Sequence, residues 1–394
     1  GLDGIVIIMN QRENMLALLN GEDYQEVPVW FLGFDNEDLA RKLNPNSDFP
    51  KNLSPNPETT DYAWDRITDE ERQRTLNYNQ AFLKPAVIVG WGANMMFGHG
   101  GPGEFHFKLI DYQQDERTLI CETGCKRLVR KNPHFYRDFD YSMKTINDVD
   151  LLELPDPKDL SRYKGVEEDV RYFKKQGYFT GANLNGFFSA PHYFCLDYQE
   201  FLLSIALDPI NPKKLIDKVG AWNLCAAEQL LSRGIDCITL CDDLGSANNL
   251  LVNPRIYQDW IFPWHKKLCD LAHDFGAYVH LHSHGNLKKI LPDILATGVD
   301  MLNPFAADES MDLVKYLENH PNSKTIPVGG LHKQMFEWDQ ATQKEYITSL
   351  FKKAQKAGRW IFGDGSGIPG TITNKNYDFF IKTVKNLNKI QSAP

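Results

Sequence analysis

The sequence predicts an α/β fold of the (β/α)₈ TIM-type barrel class, with an N-terminal extension of helices and loops. Strand-like and helix-like segments alternate regularly from about residue 175 onward in this 394-residue chain. That rhythm is typical of parallel β-α units. Six such units in this part of the chain favour a barrel over an open sheet. A doubly wound sheet is the weaker alternative, because no glycine-rich phosphate turn follows any strand.

Eight strands are predicted from short apolar runs between turn residues, namely 27–31, 86–90, 178–182, 237–241, 278–282, 301–303, 327–329 and 360–362. The helices predicted between the later strands are 198–207, 212–232, 254–275, 287–297, 310–319 and 341–357. Asn211 and Asn253 each precede a proline, which is a helix-start pattern. Residues 32–175 are rich in Pro, Asn, Asp and aromatics, and we expect them to form capping helices and loops. A single domain over residues 1–394 follows.

Composition excludes several classes of function. The net charge of -9 disfavours a general nucleic-acid or anionic-membrane binder. No apolar run approaches the ~20 residues that a membrane span needs, and the start shows no signal-peptide pattern. The seven cysteines are scattered, so we expect a reducing, cytoplasmic location rather than a disulfide framework. Cys121 and Cys125 form a lone C-x-x-x-C and are interpreted as small buried side chains.

Three histidines alternate along one predicted strand. Alternation places His280, His282 and His284 on one face, toward the barrel axis or its mouth. Neighbours on that face lie about 6.6 Å apart at Cα, since the rise is ~3.3 Å per residue, so two imidazoles can reach one metal ion. Both adjacent pairs satisfy this spacing. Depth favours the outer pair, because the barrel interior is normally filled and a catalytic ion needs an open position.

Carboxylates follow two other strands. Asp242 and Asp243 are adjacent, so only one of them is expected to face the site, while the other caps a helix or binds backbone. Asp364 and Ser366 lie in the glycine-rich segment after the last strand. Asp242, Asp243 and Asp364 are the candidate catalytic residues, and Ser366 and Asn303 are candidate substrate contacts at strand ends.

Aromatic residues gather near the strand ends. Trp30, Phe34, Trp91 and Phe188 are predicted to form the apolar side of a substrate pocket at the barrel mouth.

The chain resembles the uroporphyrinogen decarboxylase superfamily over nearly its whole length. The matching segments are 186–209 (GFFSAPHYFCLDYQEFLLSIALDP), 238–268, 282–303, 327–331 and 363–371 (GDGSGIPGT). This resemblance implies a TIM-type barrel with its active site at the carboxyl ends of the strands. The porphyrinogen decarboxylases carry an arginine-rich segment after the first strand, whereas residues 27–41 hold no arginine before Arg41. Tetrapyrrole decarboxylation is therefore disfavoured.

The other branch that the chain resembles holds corrinoid-dependent methyltransferases with an H-x-C zinc motif on this strand. His282 matches its first ligand, His284 stands where the cysteine is expected, and Ser366 replaces a distant cysteine. The resemblance therefore implies zinc at His282 and His284, in a ligand set harder than one with two thiolates.

The function we expect is methyl transfer from a small donor, with a methoxylated aromatic as one candidate, to a corrinoid carried by a separate protein. A metal-free carboxy-lyase using Asp242 or Asp243 and a histidine is the second hypothesis. A non-catalytic binding barrel is the third.

Overall fold

The computed structural model describes residues 8–31, 61–63, 69–89, 106–114, 116–130, 135–365, 367–368 and 372–391. Its strands are β1 (Val29–Trp30), β2 (Asp61–Ala63), β3 (Ala86–Ile88), β4 (His106–Gln113), β5 (Glu116–Cys121), β6 (Lys126–Arg130), β7 (Phe135–Phe139), β8 (Phe179–Asn185), β9 (Cys237–Cys241), β10 (Tyr278–His282), β11 (Met301–Phe305), β12 (Ile326–Gly330) and β13 (Ile361–Gly363). Its longer helices are α1 (Gln11–Asn20), α2 (Asp69–Ala81), α3 (Val166–Lys175), α4 (Tyr198–Leu207), α5 (Asn211–Leu231), α6 (Phe262–Asp274), α7 (Leu291–Ala296), α8 (Leu313–Asn319), α9 (Gln340–Ala357) and α10 (Asn374–Gln391).

Eight parallel strands form a nearly closed barrel. Their order is β1-β13-β12-β11-β10-β9-β8-β3, and every neighbouring pair is parallel. The predicted (β/α)₈ barrel is therefore confirmed. His282 is the last residue of β10, so it lies at the carboxyl end of its strand as expected.

Strand alternation divides the core into two layers. On β10, Val279 and Leu281 belong to the large cluster between the strands and the helices. His280 and His282 occupy the alternate positions and face the axis. A smaller cluster that includes Trp30, Phe179 and Cys237 fills the barrel interior. The interior is thus packed in its lower part, as barrels of this kind usually are.

Part of the N-terminal half forms a second sheet. Five antiparallel strands pair in the order β2-β4-β5-β6-β7, where helices and loops were expected. Buried Leu119 and Cys121 alternate with less buried residues on β5, a period-2 pattern that flanking charges obscure in the sequence. Cys121 and Cys125 are both buried at the hairpin between β5 and β6, in agreement with their predicted packing role. The hydroxyl of Thr123 in this turn donates to the carbonyl of Phe194 over 2.5 Å and ties the sheet to the segment after β8.

The N-terminal helix α1 contacts the amino-terminal end of the barrel through its side chains. Its capping residue Asn10 forms a capping box with Glu13. Arg12 donates to the buried carboxylate of Asp236 over 2.8 Å, just before β9. None of the helices in the described part of the chain has the length and apolar character that a membrane span needs.

Helix boundaries differ from the prediction where proline intervenes. The helix expected at 287–297 is observed as α7, which begins at Leu291. Pro292 has no backbone N–H to donate, so a helix accepts it only in its first turn. A helix that contains Pro292 must therefore begin close to this residue, and α7 cannot start as early as residue 287. Helices α1 and α10 were not predicted, whereas α2 and α3 lie within residues 32–175, where capping helices were expected without stated bounds.

Candidate metal centre

Three side chains that could bind a metal ion meet at the mouth of the barrel. A ligand atom each from Cys241, Asp243 and His282 lies within 4.8 Å of the other two. Cys241 and His282 are Cα partners at the ends of the adjacent strands β9 and β10. Asp243 follows Cys241 by two residues, so its side chain can return to the same face. We call these three residues the metal triad.

The orientation of His282 suits a metal ligand. Its Nδ1 lies 2.5 Å from Oδ1 of Asn303, whose amide nitrogen donates to the carbonyls of Val328 and Asp364. Because those donations fix the orientation of the amide, its oxygen must accept a hydrogen bond from the Nδ1–H group of His282. Nε2 then presents its lone pair, 3.9 Å from Asp243 Oδ1. This is the usual arrangement around a metal-binding histidine.

Asn303, which was expected to contact substrate, is engaged by other protein groups. It is fully buried, its amide nitrogen donates to two carbonyls, and its oxygen contacts His282. Its expected contact with substrate stays a prediction.

Burial shapes the protonation of the triad. It lowers the pKa of His282, which keeps the imidazole in the neutral form that binds metals. Burial also raises the pKa of the Cys241 thiol well above its ordinary value, and the charges of Asp243 and Asp242 act in the same direction. A coordinating cation deprotonates such a thiol outright, so metal binding here must release a proton.

His284 lies beside the triad but has a carboxylate partner of its own. Its ring is perpendicular to that of His282 at 4.7 Å, and its Nδ1 lies 2.7 Å from Glu309 Oε1. Burial opposes the charged form, but the Glu309 hydrogen bond and the nearby carboxylates outweigh it and raise the pKa of His284. His284 is absent from the 4.8 Å group of the described residues, so the predicted pairing of His282 with His284 stays a prediction.

Asp242 points away from the triad and organises the backbone. Its carboxylate accepts the backbone N–H groups of Phe187, Phe188 and Ser189. It also lies 2.8 Å from Nε2 of buried His265, whose Nδ1 is 3.0 Å from the Tyr257 hydroxyl. These four contacts anchor the backbone here, and the catalytic role expected of Asp242 stays a prediction. The side chains of Asp242 and Asp243 point to different sides, as strand alternation predicts.

The remaining predicted residues lie in several places. Trp30 is inside the barrel, with its ring edge-on to His280 at 4.9 Å. Phe188 is fully buried against Phe201. Asp364 is buried, and its carbonyl accepts from Asn303. Phe34, Trp91 and Ser366 lie outside the described residues, so the aromatic mouth stays a prediction.

Sequence reasoning missed Cys241 as a site residue. It counted this cysteine among seven scattered ones and weighed only the two adjacent aspartates at the end of that strand. The available signal was the C-x-D spacing at a strand end, which puts the thiol and Asp243 on one face. Cys241 places a thiol beside His282, a ligand type that the comparison with the H-x-C motif had counted as lost.

The fold and the site define a TIM-type barrel with a Cys/Asp/His group at its mouth. The family model for uroporphyrinogen decarboxylase (URO-D) matches residues 133–387, well over half of the chain. The chain therefore belongs to the uroporphyrinogen decarboxylase family.

Solved structures of two methyl-transfer proteins share the fold. A methyltransferase from Methanosarcina mazei superposes with a TM-score of 0.67 at 14% identity, covering 96% of this chain and 99% of that one. A B12-independent methionine synthase from Shewanella sp. W3-18-1 gives a TM-score of 0.50 at 11% identity, covering 93% and 97%. No curated protein gives a match.

Proposed function

We propose that this protein is a metal-dependent methyltransferase that moves a methyl group from a small donor to a corrinoid carried by a separate protein. The metal triad is the observation that carries the proposal, because it combines three ligand types within 4.8 Å at the mouth of the barrel. Membership of the uroporphyrinogen decarboxylase family and the methyltransferase fold matches support it.

The donor set fits zinc. Catalytic zinc sites usually have three protein ligands drawn from thiolate, imidazole and carboxylate, with a fourth position open. Cys241, His282 and Asp243 supply one of each. Asn303 fixes His282 in the tautomer whose Nε2 lone pair faces the triad, as the hydrogen-bond partners of metal-binding histidines do.

The metal ligands also indicate the chemical class of the methyl donor. A bound zinc ion supplies Lewis acidity to the heteroatom that carries the methyl group. One carboxylate and one thiolate form a harder set than two thiolates, which favours an oxygen-bound methyl group, such as that of a methoxylated aromatic.

His284 is positioned to donate a proton to the leaving group. Its ring lies beside His282, and Glu309 holds its Nδ1. In the protonated state that Glu309 favours, His284 can donate a proton to the oxygen that loses the methyl group. Asp364 stays a proposed site residue at the neighbouring strand end.

Methyl transfer to free cob(I)alamin, as a stand-in for the corrinoid protein, tests this proposal. We expect zinc-loaded protein to methylate cob(I)alamin from 2-methoxyphenol or methoxyacetate, followed by absorbance. His282→Ala and Asp243→Ala should each lower the rate by about 100-fold or more, since each removes a ligand. His273→Ala removes an exposed imidazole that pairs with the half-buried Asp300; it is the matched control and should keep the wild-type rate. Full activity in both triad variants would contradict the proposal.

Membership of this family also supports a second candidate, a metal-free carboxy-lyase. Asp243 and His284 would then act as proton donors to a carbanion. A chelator distinguishes the two functions, because it should stop the methyltransferase and leave the lyase active.

A further inference from the structure

The C-x-x-x-C motif places two thiols opposite each other across one hairpin. Cys121 ends β5, and Cys125 directly precedes β6. The last pair of the β5–β6 ladder matches Ile120 with Lys126, and the two cysteines face each other one step closer to the turn. The backbone N–H of Cys121 donates to the carbonyl of Cys125 over 2.8 Å. Opposite residues share a face of the sheet, and both side chains lie in one buried cluster with Leu119. We call Cys121 and Cys125 the cysteine pair.

The spacing of the cysteine pair suits a disulfide bond. Directly opposite residues of an antiparallel pair lie about 4.5–5.5 Å apart at Cα. Residues joined by a disulfide usually lie ~4.4–6.8 Å apart at Cα, so these two ranges overlap. Both cysteines are free in this structure, and their thiols are hydrogen-bonded to each other. A bond between the two sulfur atoms therefore needs little movement of the backbone.

The turn between the two cysteines is held from both sides. The carboxylate of Glu122 pairs with the buried guanidinium of Arg162. The hydroxyl of Thr123 donates to the carbonyl of Phe194 in the segment after β8. These contacts fix the turn against the barrel and keep the two thiols facing each other.

The two thiols of the cysteine pair differ chemically. The Cys125 sulfur lies 3.7 Å from the Phe139 carbonyl and 3.9 Å from the Tyr193 carbonyl, which are groups that can only accept a proton. Its hydrogen bond with Cys121 and its burial raise the pKa of the Cys125 thiol. The hydrogen bond from Cys125 lowers the pKa of Cys121 against the effect of burial, and the charge of Arg127 also lowers it. Cys121 is also the more accessible of the two, since it is 8% exposed and Cys125 is 1% exposed.

We propose that the cysteine pair is a reversible redox site, in which Cys121 reacts with a hydroperoxide and Cys125 closes the disulfide bond. The Cys121 thiolate attacks one oxygen and breaks the O–O bond, which leaves a sulfenic acid on Cys121. The departing oxygen takes up the proton that Cys121 had released and leaves as an alcohol, or as water when the oxidant is hydrogen peroxide. The Cys125 thiol then attacks the sulfenic sulfur, loses its proton and releases water. The two cysteines lose two electrons in total, and the hydroperoxide gains them.

Treatment of the folded full-length protein with hydrogen peroxide tests this proposal. After the peroxide is removed, the protein is denatured, its free thiols are blocked with N-ethylmaleimide, and tryptic peptides are analysed by mass spectrometry. Both cysteines lie in the tryptic peptide 118–126. We expect this peptide to lose both labels together and to regain both after dithiothreitol. Cys225 on α5 is more exposed than Cys121, and burial raises its pKa; it should be oxidised about tenfold more slowly.

Single variants separate the roles of the two thiols. Cys125→Ser should accumulate a sulfenic acid at Cys121 that dimedone labels, because the thiol that closes the disulfide has been removed. Cys121→Ser should leave Cys125 unlabelled by dimedone, because its raised pKa keeps it protonated. Cys269→Ser, in the helix-packed core, is the matched control and should form the disulfide as the wild type does.

Three outcomes would overturn the proposal. The first is a peptide 118–126 that keeps both labels in the folded protein, and the second is the loss of one label alone. The third is a disulfide that joins either cysteine to a different one. Dimedone labelling of Cys125 in Cys121→Ser would refute the assigned order of the two steps. Should a variant fail to fold, the labelling of the wild-type peptide decides.

Discussion

Single hydrogen bonds decide what the site residues can do. His282 and His280 lie two residues apart on β10, yet their surroundings differ. Asn303 fixes the tautomer of His282, and Asp243 lies opposite its free nitrogen. His280 has no such partners among the described residues and packs against Trp30. Alternation along the sequence placed both on the axis, but it could not separate them, because the partners come from other strands.

Asn303 provides a prediction at this scale. Asn303→Ala should weaken zinc affinity by about 10–100-fold, because His282 loses the acceptor that orients its ring. Competition with a chromogenic chelator measures the change. Asn388→Ala removes another buried amide, one that donates to the Val27 carbonyl far from the mouth, and should leave zinc affinity unchanged. Equal affinities in wild type and Asn303→Ala would show that this asparagine has no positioning role.

At the scale of elements, the ends of β8 and β9 are held together by one buried carboxylate. Asp242 accepts three backbone N–H groups from the segment after β8 and contacts His265 on α6. A Cβ at Gly186 would lie 2.0 Å from Cγ of Asp242, so only glycine admits this approach. The anchor fixes the backbone between Cys241 and Asp243, which flank Asp242 in the sequence.

Asp242→Asn should lower the free energy of unfolding by about 3 kcal/mol, because the amide cannot accept from all of these donors. Urea unfolding measures the loss. The exposed Asp270, paired with Lys266 on α6, is the matched control, and Asp270→Asn should change stability by no more than about 0.5 kcal/mol. A similar small effect at both positions would mean that Asp242 is not an anchor.

Across the whole molecule, the strand rhythm predicted the barrel, because each β-α unit carries local signals. The antiparallel sheet of β2 and β4–β7 was missed, since its strands carry charges on both faces and its alternation is weak. At the site, His282 and Asp243 were recognised as candidates from their strand-end positions. Cys241 and Glu309 were not, because a partly buried cysteine and a carboxylate in a short helical turn come close to His282 and His284 only through long-range packing.

The proposed metal-dependent function requires a mixed Cys/Asp/His metal centre at the barrel mouth. Zinc K-edge X-ray absorption of the loaded protein tests this most directly. We expect one sulfur ligand at about 2.3 Å from zinc, and nitrogen or oxygen ligands at about 2.0–2.1 Å from it. The sulfur should disappear in Cys241→Ala and persist in Cys269→Ala, where the cysteine is buried in the helix-packed core. A wild-type spectrum without sulfur, or one that keeps its sulfur in Cys241→Ala, would contradict the account.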